Sequence, residues 1–74
     1  MPIIQSVERA LQILDLFNEQ ATELKITDIS KLMGLSKSTL HSLLKTLQLH
    51  GYIDQNPENG KYRLGMKQIG RAHV

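Results

Sequence analysis

Between residues 36 and 46 the chain places Ser36, Lys37, Ser38, Thr39, His41, Ser42, Lys45 and Thr46, interleaved with leucines and without a single Asp or Glu. Hydroxyls, an imidazole and ammonium groups all donate hydrogen bonds, and phosphate oxygens and the acceptor atoms of base edges are suitable partners. On a helix, Ser38, His41, Ser42 and Lys45 fall on one face, because steps of three and four residues return to the same side. These four, with the neighbouring Thr39, are the candidates for contacting bases. Ser36 and Lys37 stand at the N-terminal end of the segment, where free amides and the positive end of the helix dipole favour a phosphate. They are assigned to the nucleic-acid backbone together with Thr46, Thr27, Lys61 and Arg63. Each of these side chains taken singly is also what any solvated surface carries; their joint placement is the signal.

The other side of the same segment fixes its conformation. Leu40, Leu43, Leu44 and Leu47 recur at i, i+3, i+4 and i+7, Ser36 is a capping residue and Gly51 closes the run, which predicts a helix from Ser36 to His50. Upstream, Thr27 reads as an N-cap with Asp28 in the first turn, Ile29, Leu32 and Met33 form an apolar face, and Gly34 ends a two-turn helix. Two helices separated by Gly34 and Leu35 make a helix-turn-helix, in which the first braces the second so that it projects outward.

A further helix is predicted from Ser6 to Asn18, with Val7, Ala10, Leu11, Leu14 and Phe17 as its apolar stripe. Ile13 and Leu16 lie off that stripe and are candidates for a dimer interface, with deeper burial as the alternative. Glu19 to Glu23 reads as a loop, and Leu24-Lys25-Ile26 as a short strand that pairs with something later. After the long helix, Tyr52-Ile53-Asp54-Gln55 and Lys61-Tyr62-Arg63-Leu64 flank a turn containing Asn59-Gly60, which predicts a hairpin, or wing. The expected fold is mainly α with a small β-hairpin: a winged helix-turn-helix of three helices plus the wing, in one domain over residues 1–65.

Bulk properties agree. Seventy-four residues hold one small domain, and 41% hydrophobic against 22% charged residues is the balance of a folded chain. Residues 1–35 carry three cations against five carboxylates, a balance of −2, whereas residues 36–74 carry six against two, a balance of +4. The basic half suits a surface that faces phosphates.

Other functions are disfavoured. The absence of cysteine excludes disulfides and thiolate metal sites, and His41, His50 and His73 lack the companions and spacing of a zinc site, so no metal and no cofactor is expected. Scattered carboxylates and the lack of a glycine-rich phosphate loop argue against an enzyme. Glu8, Arg9 and Asp15 interrupt the first helix, which is neither a signal-peptide core nor a membrane span, so the expected location is cytoplasmic.

The blocks Ser6 to Leu14, Gly34-Leu35-Ser36-Lys37-Ser38-Thr39, Gly51-Tyr52 and Tyr62-Arg63-Leu64-Gly65 resemble, in this order, the IclR family of transcriptional regulators. The likeness covers most of the chain. It implies a double-stranded DNA operator as partner and a domain that dimerises, often through its first helix. It also implies a linker helix leading to a larger C-terminal domain that binds a small-molecule effector, which this sequence does not contain. Repression is the commoner expectation from the resemblance. The position after the recognition-helix histidine is commonly arginine in the family; Ser42 stands there in this chain, so a guanidinium contact does not carry over.

Residues 66–74 are where the linker helix is expected to start, yet Ile69-Gly70-Arg71-Ala72-His73-Val74 departs from a leucine-rich continuation. The same six residues are encoded by one reading frame of a widely used sequencing adapter. The resulting hypothesis is that residues 69–74 are a non-native tail, and a natural stop codon after this tail at the source locus would refute it. Two other functional readings stay open at this point: a winged-helix protein-interaction module without specific DNA binding, and a non-specific nucleic-acid binder. The second is weakened by the presence of only three aromatic residues, Phe17, Tyr52 and Tyr62.

Overall fold

The structure, a computed structural model, describes residues 2–65. The expected start of a linker helix and the tail at 69–74 lie outside them. Three helices, α1 (Gln5–Asp15), α2 (Ile26–Met33) and α3 (Lys37–Leu49), are followed by strands β1 (Ile53–Gln55) and β2 (Tyr62–Leu64). This is the winged helix-turn-helix order that the periodicities and turn residues predict.

The core is made by one side of each element. Ile13 and Phe17 from the first helical segment, Ile29 from α2, Leu40, Leu44 and Leu47 from α3, Ile53 from β1 and Tyr62 from β2 are all buried, and no polar or charged residue is buried with them among the described residues. Each fully buried aliphatic side chain contributes about 1.5–3 kcal/mol relative to exposure, so removing any of them weakens a core this small.

The orientation of α1 corrects the sequence reading. Ile13 is completely inaccessible, whereas Val7 and Leu11 are 55% and 58% exposed. The inward stripe is thus Ala10, Ile13, Leu14 and Phe17, which keeps the i, i+3, i+4, i+7 spacing but is rotated from the expected one. Ile13 is withdrawn as a dimer contact, and Leu16 is half-buried against the core. The physical reason is the width of the apolar band: two stripes of this helix fit the pattern, and the one that faces α3 and the shared core is the one that is buried.

The helix boundaries follow from local hydrogen bonds. The expected cap at Thr27 is displaced: α2 begins two residues earlier than that reading requires, because the Asp28 carboxylate accepts the Lys25 backbone N–H at 3.3 Å and holds Lys25 in an extended cap conformation. Thr27 lies exposed within the first turn. The short strand at 24–26 is reduced to one bridge, in which Leu24 and Tyr62 exchange backbone hydrogen bonds of 2.9 and 2.8 Å.

Gly34 ends α2 with a φ of +68°, which glycine adopts without the penalty a Cβ imposes, and its N–H donates to Ser30 O at 2.8 Å. Ser30 Oγ also donates to Leu35 O at 2.7 Å, tying the turn to the helix that precedes it. Ser36 then caps α3 as expected, its Oγ accepting the Thr39 N–H at 3.4 Å.

The wing is antiparallel, with Ile53 opposite Leu64, Asp54 opposite Arg63 and Gln55 opposite Tyr62. Ile53 and Tyr62 are buried, so the sheet's inner face closes the core beneath α3 while Arg63 turns outward.

Candidate nucleic-acid interface

The exposed face of α3 is set by what lies behind it. With Leu40 and Leu44 inaccessible and Leu47 nearly so, the remaining directions of the helix face outward. Ser38, His41, Ser42 and Lys45 are all exposed and run for about 10 Å along the helix axis. No carboxylate occurs anywhere in α3. A helix with this row fits a major groove about 12 Å wide.

Thr39 is placed differently from its neighbours. It is half-buried, and its hydroxyl accepts a hydrogen bond from Ser36 Oγ at 3.1 Å, which makes it part of the cap. Ser36 Oγ is also 3.3 Å from Ser38 Oγ, so the hydroxyls of 36, 38 and 39 form one cluster at the N-terminus of α3, beside the exposed Lys37. Free helical amides at that end make it suitable for a phosphate oxygen.

Further along, Thr46 donates to Ser42 O at 2.9 Å and Ser42 to Ser38 O at 3.4 Å. Thr46 also lines an open, mostly apolar groove of about 310 Å³ between α1 and α3, with Ser6, Val7, Ala10, Leu11, Leu43 and Leu47. It stands at the border between the polar face and this groove.

On the wing the two cations part company. Lys61 is half-buried at the base of the returning strand, whereas Arg63 borders a depression of about 260 Å³ formed with Phe17, Asn18, Thr22 and Leu64. The structure therefore groups Arg63 with the α1–α2 loop. Sequence reasoning also missed Leu49, which continues the row of Ser38, Ser42 and Lys45 and is 75% exposed. Its spacing from Lys45 was the available signal.

Among the described residues no three His, Cys, Asp or Glu side chains come together as metal ligands, and no helix is long and apolar enough to cross a membrane.

Residues 6–57, which run from the second residue of α1 through α2, α3 and the first wing strand, match the model of the IclR helix-turn-helix domain. The chain belongs to the IclR family. It is 94% identical over 73 residues to the HTH-type transcriptional regulator XynR of Escherichia coli K12, a match covering 99% of this chain and 29% of that protein. It is 42% identical over 66 residues to the glycerol operon regulatory protein of Streptomyces griseus, covering 89% of this chain and 26% of that one. A solved IclR transcriptional regulator from Alicyclobacillus acidocaldarius superimposes with a TM-score of 0.91 at 25% identity, over 97% of this chain and 29% of the other. Another from Brucella abortus gives 0.83 at 29% identity, over 96% of this chain and 28% of the other.

The chain thus spans less than a third of the length of these relatives. What it contains is an IclR-type helix-turn-helix, the DNA-binding domain of transcriptional regulators.

Proposed function

We propose that this IclR helix-turn-helix binds a specific duplex operator by laying α3 in the major groove. Ser38, His41, Ser42 and Lys45 face the bases, while Ser36, Lys37, Thr27 and Lys61 hold flanking phosphates. The observation that carries this reading is the exposed, carboxylate-free row on α3, braced from behind by three buried leucines. Thr39 acts through the cap, and Thr46 and Arg63 contribute at the margins of the contact.

The domain works as one half of a homodimer, whose two recognition helices enter major grooves about 34–36 Å apart on a near-palindromic site. The apolar surface that supports this is Ile3 and Ile4, just before α1, with Val7 and Leu11 on the helix, all between 55% and 69% exposed. It replaces Ile13 as the contact on that helix. The small-molecule effector acts through a C-terminal domain, in keeping with relatives more than three times as long as the matched stretch. Repression in the cytoplasm, without catalysis, is the proposed outcome. The names of two relatives support it: the DNA-binding transcriptional repressor YiaJ and the transcriptional repressor IclR, both of Escherichia coli K12.

The test is fluorescence anisotropy with duplex from the upstream region of the gene's own neighbourhood, across a salt series and against random duplex as competitor. Saturable binding that survives the competitor and weakens steeply with salt is expected. A folded dimer that binds no duplex would leave the protein-interaction module as the better reading.

A further inference from the structure

The tip of the wing, Asn56-Pro57-Glu58-Asn59-Gly60, is built in a way that does not suit a phosphate. Backbone N–H groups and cations are the usual anion grips of a loop, and here nearly every amide is already committed. Asn56 N–H donates to Lys61 O at 2.8 Å, and Gly60 N–H donates to Asn56 O at 2.8 Å. Glu58 N–H donates to Asn56 Oδ1 at 2.8 Å, and Lys61 N–H donates to Asn59 Oδ1 at 2.9 Å. Pro57 has no N–H to offer. Gln55 Nε2 is drawn inward too, donating to Gly60 O at 3.0 Å.

What this scaffold does present is a carboxylate. Glu58 is exposed at the apex, and the tip contains no Lys or Arg. The nearest cation in sequence, Lys61, is half-buried at the strand base. The turn hydrogen bonds fix the backbone that carries Glu58 at the apex, so its charge stays at the tip of the wing.

From this geometry we infer that Glu58 is a specificity determinant that works by repulsion, holding the tip of the wing off the phosphate backbone while Lys61 at the strand base keeps its phosphate. The inference rests on the proposed DNA-binding reading. Binding to arbitrary duplex comes almost entirely from phosphate contacts made in many poses, and a carboxylate at the wing tip penalises the poses in which the tip approaches the backbone. On the operator, the base contacts of α3 select one pose, so the same charge costs little. One unit charge about 7 Å from a phosphate in water changes affinity about threefold, an effect that salt screens.

The experiment compares the chain with Glu58→Gln and Glu58→Asp on two probes: the duplex most enriched by the wild-type chain from a random pool, and a scrambled duplex of equal length. Thermal melts followed by circular dichroism establish that each variant is folded. Glu58→Gln is expected to tighten the scrambled duplex about threefold at low salt while changing the selected duplex by less than half as much, and Glu58→Asp is expected to match the wild type. A selective loss on the selected duplex would overturn the proposal, because the carboxylate would then be accepting a hydrogen bond from a base. So would unchanged affinity on both probes, which would place the tip away from DNA. Failure of the wild-type chain to enrich any duplex would instead bring down the DNA-binding reading beneath it.

Discussion

Gly65 lies directly over Gly51: a side chain at 65 would overlap the Gly51 carbonyl oxygen and press on Tyr52 C at 3.1 Å. The Gly65 N–H donates to Tyr52 O at 2.8 Å, so the end of the wing is pinned to the turn that follows α3. The obstruction is backbone and cannot rotate away.

Gly65→Ala is therefore expected to destabilise the domain by about 1–3 kcal/mol through overpacking. Gly34→Ala meets no atom within 4 Å and is strained only by its positive φ, which costs about 1 kcal/mol. Thermal melts should rank Gly65→Ala below Gly34→Ala, at about 4–8 °C per kcal/mol for a domain of this size. The reverse order would mean that the Gly51–Gly65 approach is not present in solution.

Helix α1 offers a test of which apolar residues serve the core and which serve a partner. Ile13→Ala opens a cavity in a fully buried site and should cost about 2–5 kcal/mol. Val7→Ser and Leu11→Ser alter exposed positions and should leave unfolding within about 0.5 kcal/mol under monomeric conditions. Sedimentation velocity should show the serine variants shifted toward monomer. A wild-type distribution for both would remove this face from the proposed dimer.

On the recognition helix, Lys45→Ala should weaken the operator more than random duplex, with little change in the slope of log K against log salt. An equal loss on both, with the slope lowered by about 0.9 for each phosphate no longer neutralised, would assign Lys45 to the backbone instead. Ser42→Ala, on the same face, is expected to relax base preference at one position with little change in slope.

Ser36→Ala separates capping from DNA contact. Without the Ser36 side chain the Thr39 N–H has no acceptor, which should cost about 0.5–2 kcal/mol of stability, read by chemical denaturation. Ser36→Asp should retain the cap and the stability while repelling phosphate, so its DNA affinity should fall below that of Ser36→Ala. Equal affinities for the two variants would place residue 36 away from the backbone of the bound duplex.

Much of the architecture is written locally in the sequence. The capping serine, the leucine repeat of α3, Gly34 at its positive φ and the Asn-Gly wing turn each depend on residues within one or two turns of each other, so their effect survives without knowledge of the rest of the chain. The exposed row Ser38, His41, Ser42 and Lys45 is legible for the same reason: once the leucines define the buried side, helical geometry places the others opposite.

Other features depend on what comes to lie alongside. Helix α1 has apolar residues on more than one side, and periodicity alone does not say whether Ile13 or Val7 and Leu11 face inward; packing against α3 and the shared core buries the first and leaves the other two exposed. Asp28 moved the start of α2 by reaching back to Lys25, a side-chain choice that competes with a cap at Thr27. Thr39 joined the cap because Ser36 lies within reach, and Arg63 was grouped with Phe17, Asn18 and Thr22 because the α1–α2 loop folds beside β2. Residue types and short spacings thus determined the elements and the chemistry of the α3 face. Long-range packing decided which apolar surface is left for a partner and which of the sequence's candidate residues share that face, since burial is a property of neighbours distant along the chain.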